Sequence, residues 1–306
     1  MDSGLRTDHV RISIVGLGLI GGSAGMAWRA AGHHVVGYAR RPETARRALE
    51  LSATDETAHT LAAAAGADVV VLAPPVLAIR PLMEQLAPHL AAGTIVTDVA
   101  STKRAVERWA GQLLPAHVCF VGSHPMAGKE TAGIEHADGA LFQDRTWCIV
   151  PPPAADERAV EVVTRLAADA GARPHRLDAV AHDRAVAAVS HLPFMAAIAL
   201  AENVIGWDGF AAIAPVAGTG LRDMTRLASG DAQMHRDICA TNRDYLIGEL
   251  EQFSAQVAAL VDLLRRLPAT DAVRSDDPAL VELGQRFAQL KAARDAWLAQ
   301  SEGHGG

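Results

Sequence analysis

The sequence predicts two domains of different class: an α/β domain with a parallel sheet over residues 1–177, then an all-α domain over 178–306. Three observations predict it. Short apolar runs alternate with Ala-rich segments of helical spacing through the first half, the pattern of a parallel sheet covered on both faces. From about Asp178 onward no convincing strand pattern appears. A glycine-rich turn joins the first apolar run to the first helical segment, at Gly16-Leu17-Gly18-Leu19-Ile20-Gly21.

Residues 10–15, 34–38, 68–72, 94–97 and 118–121 read as strands, with helices at 20–31, 42–51, 76–90 and 103–114 between and after them. A further strand–helix–strand unit at 147–150, 156–170 and 173–177 extends the same sheet. Aromatic residues are only 4% of the chain, so the core is built mainly from Ala, Val and Leu. In the second half, 179–203, 219–227, 232–267 and 278–299 read as helices with Gly and Pro breaks. Leu246, Leu250, Phe253, Val257, Leu260 and Leu264 form one stripe on a helix that could exceed 30 residues. A stripe of that length predicts an interface as well as a core, hence a homodimer through the helical domain. The most apolar stretch, 185–205, holds Ser190, His191, Pro193, Glu202 and Asn203. That is too polar for a lipid-facing span and predicts a buried helix pair.

The net charge of −7 argues against a nucleic-acid binder on electrostatic grounds. Cys119, Cys148 and Cys239 are odd in number and far apart, which suits a reducing compartment and offers no disulfide or zinc framework. The N-terminus lacks the pattern of a signal peptide, so a cytoplasmic location is expected. Thirteen histidines show no metal-ligand spacing, and no metal site is expected.

The glycine turn has the G-x-G-x-x-G spacing of a Rossmann-like dinucleotide loop. Gly16 permits the tight turn, Gly18 lets the backbone approach a pyrophosphate, and Gly21 allows close helix–sheet packing. Leu19 and Ile20 open the helix whose N-terminus would take the phosphates. An acid that holds the ribose of NAD is expected roughly 20 residues on. Ala39 stands about there, followed by Arg40 and Arg41. Arginine can pair with a 2′-phosphate, so NADP is favoured over NAD. The alternative is that both are solvated charges at a helix start and either cofactor is accepted. Ala73 and Pro74, at the end of the third strand, would pass under the nicotinamide.

A dinucleotide and a helical domain suggest a dehydrogenase, which needs a base. His124, in Ser123-His124-Pro125-Met126-Ala127-Gly128-Lys129-Glu130, follows the fifth strand at the carboxyl edge of the sheet, where ligands bind in such folds. A lone histidine is ordinarily structural; Pro125, Gly128, Lys129 and Glu130 beside it favour chemistry.

GLGLIGGS (16–23), DVASTK (98–103), GSHPMAGKE (122–130), SHLPF (190–194) and LRDMTR (221–226) occur in this order across nearly the whole chain. In them the chain resembles the prephenate/arogenate dehydrogenase family of tyrosine biosynthesis. The resemblance implies oxidative decarboxylation of prephenate or arogenate with hydride transfer to NAD(P). It leaves no room for a fused chorismate mutase or regulatory domain, so a bare catalytic unit is expected. It implies that His124 accepts the proton of the ring hydroxyl and that Ser101 hydrogen-bonds that hydroxyl or His124. Lys129 and Glu130 would line the substrate cavity or its entrance, and Arg222 would bind a substrate carboxylate. Without the resemblance, Arg222 reads equally as an ordinary helix ion pair. Asp223 and Arg226 are expected to be structural. Lys103 either orients its loop or is a first-turn helix charge. His191 matches a position near the active site, or is a buried helix histidine with a backbone partner.

Two positions depart from the pattern. Many relatives read S-H-L-P-H where this chain has Phe194, and often carry Trp where it has His235. The departures put substrate side-chain contacts and tyrosine feedback in doubt. His235 is either a pocket residue supplied across a dimer interface or a surface helix residue. Prephenate is the leading substrate. Alternatives are arogenate, 4-amino-4-deoxyprephenate, a β-hydroxyacid and, in a different class, a non-catalytic dinucleotide sensor.

Overall fold

The computed structural model describes residues 9–129 and 131–303. Eight strands form one sheet: β1 (Arg11–Val15), β2 (His34–Tyr38), β3 (Glu56–Thr57), β4 (Val69–Leu72), β5 (Ile95–Asp98), β6 (Cys119–Pro125), β7 (Thr146–Val150) and β8 (Arg173–Arg176). Their order is β3-β2-β1-β4-β5-β6-β7-β8. All neighbours are parallel except β6 and β7. The short edge strand β3 is absent from the sequence expectation because two residues carry no period.

Successive strand residues face opposite sides of a sheet. In β4, Val69 and Val71 join one core and Val70 and Leu72 the other. The first core packs under α1 (Leu19–Ala30), α2 (Pro42–Glu50) and α6 (Glu157–Asp169). The second packs under α3 (Leu61–Ala64), α4 (Val76–Leu86) and α5 (Arg104–Leu113). Burial on both faces explains why β4 reads as an unbroken apolar run. Three of the scarce aromatics meet in one place. Trp28 of α1 lies 6.1 Å from Trp147 of β7, which lies 4.8 Å from Phe142. The Trp28 indole N–H donates to the Leu166 carbonyl at 2.7 Å and ties α1 to α6.

The remaining elements are helical: α7 (Ala179–Val186), α8 (Leu192–Val204), α9 (Phe210–Ile213), α10 (Thr219–Thr225), α11 (Ala232–Thr241), α12 (Arg243–Arg265) and α13 (Pro278–Gly303). Two expectations need correction. The apolar stretch is not a helix pair: α7 and α8 form one continuous helix through a π turn at Ala187–His191. It is long and apolar enough to span a membrane, yet its His182, Asp183 and His191 are buried against protein. Those two histidines are nine positions apart, which would place them about 180° apart on a regular helix. The wider π turn brings both inward.

The long helix predicted over 232–267 is broken at Asn242, whose amide N–H groups donate to the Asp183 carbonyl and His191 Nδ1. By packing, the chain forms two compact units that meet between Leu246 and Ile247. The helices through Leu246 belong to one compact unit with the sheet, and the second unit carries most of α12 and all of α13.

Candidate active site

The dinucleotide loop forms where β1 runs into α1. Gly16 holds φ at +111°, and a Cβ there would lie 2.8 Å from the Ala73 carbonyl carbon. A Cβ on Gly21 would lie 2.1 Å from the Gly16 carbonyl oxygen, so both positions demand glycine. Gly18, the N-cap of α1, faces open space: a Cβ there would meet nothing within 4 Å. No side chain caps α1 and no acid sits in its first turn. Its unpaired N–H groups and partial positive charge fit a pyrophosphate. Leu19 is buried and Ile20 half-buried behind them. The Ala73 N–H donates to the Val15 carbonyl at 2.9 Å, which holds Ala73 and Pro74 against Gly16. Beyond β2, Arg40 and Arg41 are exposed and make no ion pair among the described residues.

A cavity of about 420 Å³ lies at the carboxyl end of β6, lined by Ser101, His124, Met126, Lys129, Pro193, Phe194, Arg226, Met234 and His235 among others. The antiparallel partner β7 extends β6 beyond the predicted strand end and pairs His124 with Cys148. His124 is therefore held in a strand, not in a loop after it.

Behind the cavity lies a buried polar network. The Asp98 carboxylate receives the Lys103 ammonium and the Ala100 N–H (2.9 Å). Lys103 also donates to the Ser123 carbonyl at 2.6 Å. The Ser123 hydroxyl donates to the Asp98 carbonyl at 2.6 Å and receives the Trp147 indole N–H at 3.0 Å. Asp98 and Lys103 are 0% and 1% exposed, so Lys103 is a buried tie between the Ser101 loop and the His124 strand. His124 Nδ1 lies 2.9 Å from His182 Nε2, and His182 Nδ1 lies 2.8 Å from Asp183 Oδ1. Asp183 also accepts the N–H of Lys103 (2.7 Å) and of Arg104 (2.9 Å), at the start of α5.

Burial disfavours the imidazolium form throughout. It holds the His124 pKa well below the ordinary histidine value, with His182 and Lys103 adding to the effect. Burial likewise lowers His182 and His235, and takes His191 to about 4. His124 is thus held neutral at neutral pH, in the wall of a cavity, a state in which an imidazole can accept a proton.

Several expected site residues meet here: His124, Ser101, Lys129 and His235 all line the cavity. Ser101 makes no hydrogen bond to His124, whose Nδ1 is taken by His182. Lys129 pairs with Asp138 at 3.2 Å, and the Asp138 N–H donates to Ser23 of α1 at 2.8 Å, linking the cavity rim to the dinucleotide loop. His235 lies in its own chain's cavity wall, its ring stacked on Phe194 at 4.2 Å and 4°. Glu130 lies outside the described residues.

Two expectations are corrected. Arg222 is exposed on α10 and does not line the cavity; Arg226 does. The reason is that α10 ends at Thr225 and Arg226 opens a 3₁₀ turn (Arg226–Ser229) packed on α8. His191 is 1% exposed and stands behind the wall, accepting from Asn242 at 3.1 Å.

Residues 24–175 match the family of "Prephenate dehydrogenase, nucleotide-binding domain", and residues 178–283 that of "Prephenate dehydrogenase, dimerization domain". The chain belongs to the prephenate dehydrogenase family. It is 31% identical to the prephenate dehydrogenase of Bacillus subtilis, over 80% of this chain and 68% of that one. The crystal structure of A. aeolicus prephenate dehydrogenase with hydroxyphenyl propionate and NAD+ superposes with a TM-score of 0.81 at 28% identity, covering 92% and 97% of the two chains. Synechocystis arogenate dehydrogenase gives 0.78 at 31% identity, covering 94% and 99%. The chain is therefore a dehydrogenase that uses a nicotinamide dinucleotide, with the family's dimerization domain at its C-terminal end.

Sequence reasoning missed His182, Asp183 and Asn242, and took Arg226 as structural. The signal for the first two was present: an adjacent His and Asp at the start of the most apolar helix need buried partners. Nothing local pointed to Arg226 over Arg222.

Proposed function

We infer that the chain catalyses oxidative decarboxylation of prephenate to 4-hydroxyphenylpyruvate. The observation that carries this reading is the pairing of a neutral His124 with a cavity whose fully charged lining groups, among the described residues, are the cations Lys129 and Arg226. Prephenate is a dicarboxylate, and a lining whose charged groups are cationic suits it; Lys129 also meets Asp138 at the rim. Arogenate adds an ammonium on the side chain, and the amino-deoxy analogue one on the ring; no described acidic residue lines the cavity to receive either. A non-catalytic sensor needs neither a neutral buried base nor these cations.

Bound NAD(P)+ supplies the hydride acceptor. His124 takes the ring hydroxyl proton as the carbon–hydrogen bond gives up its hydride. Carbon dioxide then leaves, the ring becomes a phenolate, and His124 returns the proton to it. Ser101 is placed on the same wall to bind the hydroxyl oxygen. Arg226 offers the substrate a guanidinium, a rigid two-pronged donor for a carboxylate. Substituting Arg226 by Ala should raise KM for prephenate about 10- to 100-fold, while Arg222→Ala should leave it within twofold. The reverse order in steady-state kinetics would return the role to Arg222.

NADP is the proposed cofactor, because Ala39 stands where an NAD enzyme carries an acid and two unpaired arginines follow it. Initial rates on prephenate and arogenate, each with NAD+ and NADP+, test the whole reading; faster turnover of arogenate would overturn the substrate. Arg40→Ala/Arg41→Ala should raise KM for NADP+ about tenfold or more and spare NAD+. Equal effects on both would reject the 2′-phosphate role. A homodimer is supported by exposed Phe253, Val257 and Leu264 on α12 and Phe287, Leu290 and Trp297 on α13, apolar surface that a second copy would cover. Three free cysteines agree with a reducing cytoplasm.

A further inference from the structure

We propose that His182 and Asp183 are positioning residues that hold the His124 proton on Nδ1, leaving Nε2 as the nitrogen that accepts the substrate hydroxyl proton. The proposal deepens the reading of His124 as the base and rests on it.

The chain of donors runs in one direction. Asp183 already accepts backbone N–H groups from Lys103 at 2.7 Å and Arg104 at 2.9 Å, so its carboxylate faces His182 as an acceptor. His182 Nδ1, 2.8 Å from Asp183 Oδ1, therefore carries the ring hydrogen. In a neutral ring this leaves Nε2 with a lone pair. That lone pair lies 2.9 Å from His124 Nδ1, which must donate. The opposite tautomer of His124 would set two lone pairs against each other at that distance. It would also place a hydrogen on the nitrogen meant to receive one.

The anchoring is rigid. His182 and Asp183 are both 0% exposed. Asp183 is fastened at the N-terminus of α5, where a negative charge is favoured. Its carbonyl receives the Asn242 amide at 2.8 Å. The rings of His124 and His182 meet edge to face at 5.1 Å and 68°, the geometry of an in-plane N–H aimed at a neighbouring ring nitrogen.

The same arrangement serves the transient imidazolium. When Nε2 accepts the hydroxyl proton, the Nδ1–H bond to His182 becomes charge-assisted and stronger. Asp183 lies one ring further along. The proton is not passed down the chain: it stays on His124 Nε2 until carbon dioxide has left, then returns to the phenolate oxygen. Charges that face His124 are those of Lys103 before α5 and of His182 and His191 if protonated; those that face His182 are Asp183, Asp98 and Lys103. Lys103 and the other histidines oppose the imidazolium, and Asp183, acting through His182, favours it. Removing His182 therefore displaces the acid limb of the kcat profile.

Two variants and one spectrum test this. Replacing His182 by Met removes the acceptor at similar bulk. It should lower kcat by about 10²- to 10⁴-fold, with KM and NADP+ affinity within about twofold of wild type. His182→Gln offers an amide oxygen to His124 Nδ1–H and should recover at least about tenfold of the loss. In 15N spectra of histidine-labelled wild-type enzyme, His124 should appear protonated at Nδ1 and bare at Nε2, a readout that needs no variant to fold. A His182→Met enzyme with wild-type kcat and pH profile, or a His124 protonated at Nε2, would overturn the proposal. The two layers separate: normal turnover by His124→Asn removes the base itself, whereas normal turnover by His182→Met alone removes only the positioning role.

Discussion

Replacing His124 by Asn should reduce kcat by about 10²- to 10⁴-fold while the nicotinamide dinucleotide still binds with near wild-type affinity. The split follows from position. His124 lies at the carboxyl end of β6 in the wall of the substrate cavity, whereas the dinucleotide loop is built from β1, Gly16, Gly18, Gly21 and the start of α1. Asparagine keeps a donor near Nδ1 and leaves the strand pairing to Cys148 intact, so it removes the proton acceptor and little else. The pH profile carries a second expectation. Because burial holds His124 well below the ordinary histidine value, the base remains neutral as pH falls through 6.5, the value of a free histidine. The acid limb of kcat should therefore lie well below pH 6.5. Stopped assays of kcat from pH 5 to 9, beside a cofactor titration, check both. Unchanged turnover in the variant would end the assignment, and an acid limb at or above 6.5 would mean that the imidazole is not desolvated in the working enzyme.

Lys103→Met should cost about 3–5 kcal/mol of folding stability, a large share of the roughly 5–15 kcal/mol that a folded domain has. The Asp98–Lys103 pair is almost wholly buried. Burial raises the carboxyl pKa and lowers the ammonium's, and each is offset by the other. Removing the cation strands a carboxylate with two backbone N–H partners, Ala100 and Ser123. Combining Lys103→Met with Asp98→Asn removes both charges and should recover part of the loss. Denaturant unfolding of the two variants measures this. A single-variant loss below about 1 kcal/mol, the size of a surface ion pair, would show that the pair is hydrated. A buried ion pair is weak evidence for stability in itself. Its effect here is to hold the Ser101 loop and the His124 strand in one place, so Lys103→Met should also depress kcat.

The fold was legible because its signals are local. Period-two apolar runs, helical spacing and the glycine turn each depend on residues a few positions apart. The sheet therefore emerged nearly whole, apart from the two-residue β3 and the extension of β6 to Pro125. That extension needs β7, which pairs from the other side and from more than twenty positions along the chain. The helical half was less legible. The break at Asn242 arises because its side chain satisfies groups in α7 and the π turn, and no local pattern announces it. Phe194 and His235 stood out singly as departures, and only the fold stacks them on each other.

The dinucleotide loop could be read from a short linear pattern, because backbone geometry places residues close in sequence on the same turn; Ser101 and Lys129 were named only through the family resemblance, and the fold puts them with His124 on one cavity wall. The partners that tune them could not be read that way. His182 reaches His124 across 58 positions, and Asp183 reaches Lys103 across 80. Whether Lys103 was a surface charge or a buried tie, and whether Arg222 or Arg226 faces the cavity, depended on which surfaces the sheet and the helices bring together. Burial, and with it the direction of every histidine shift in the site, is a property of that packing. Residue type at a position carries none of it.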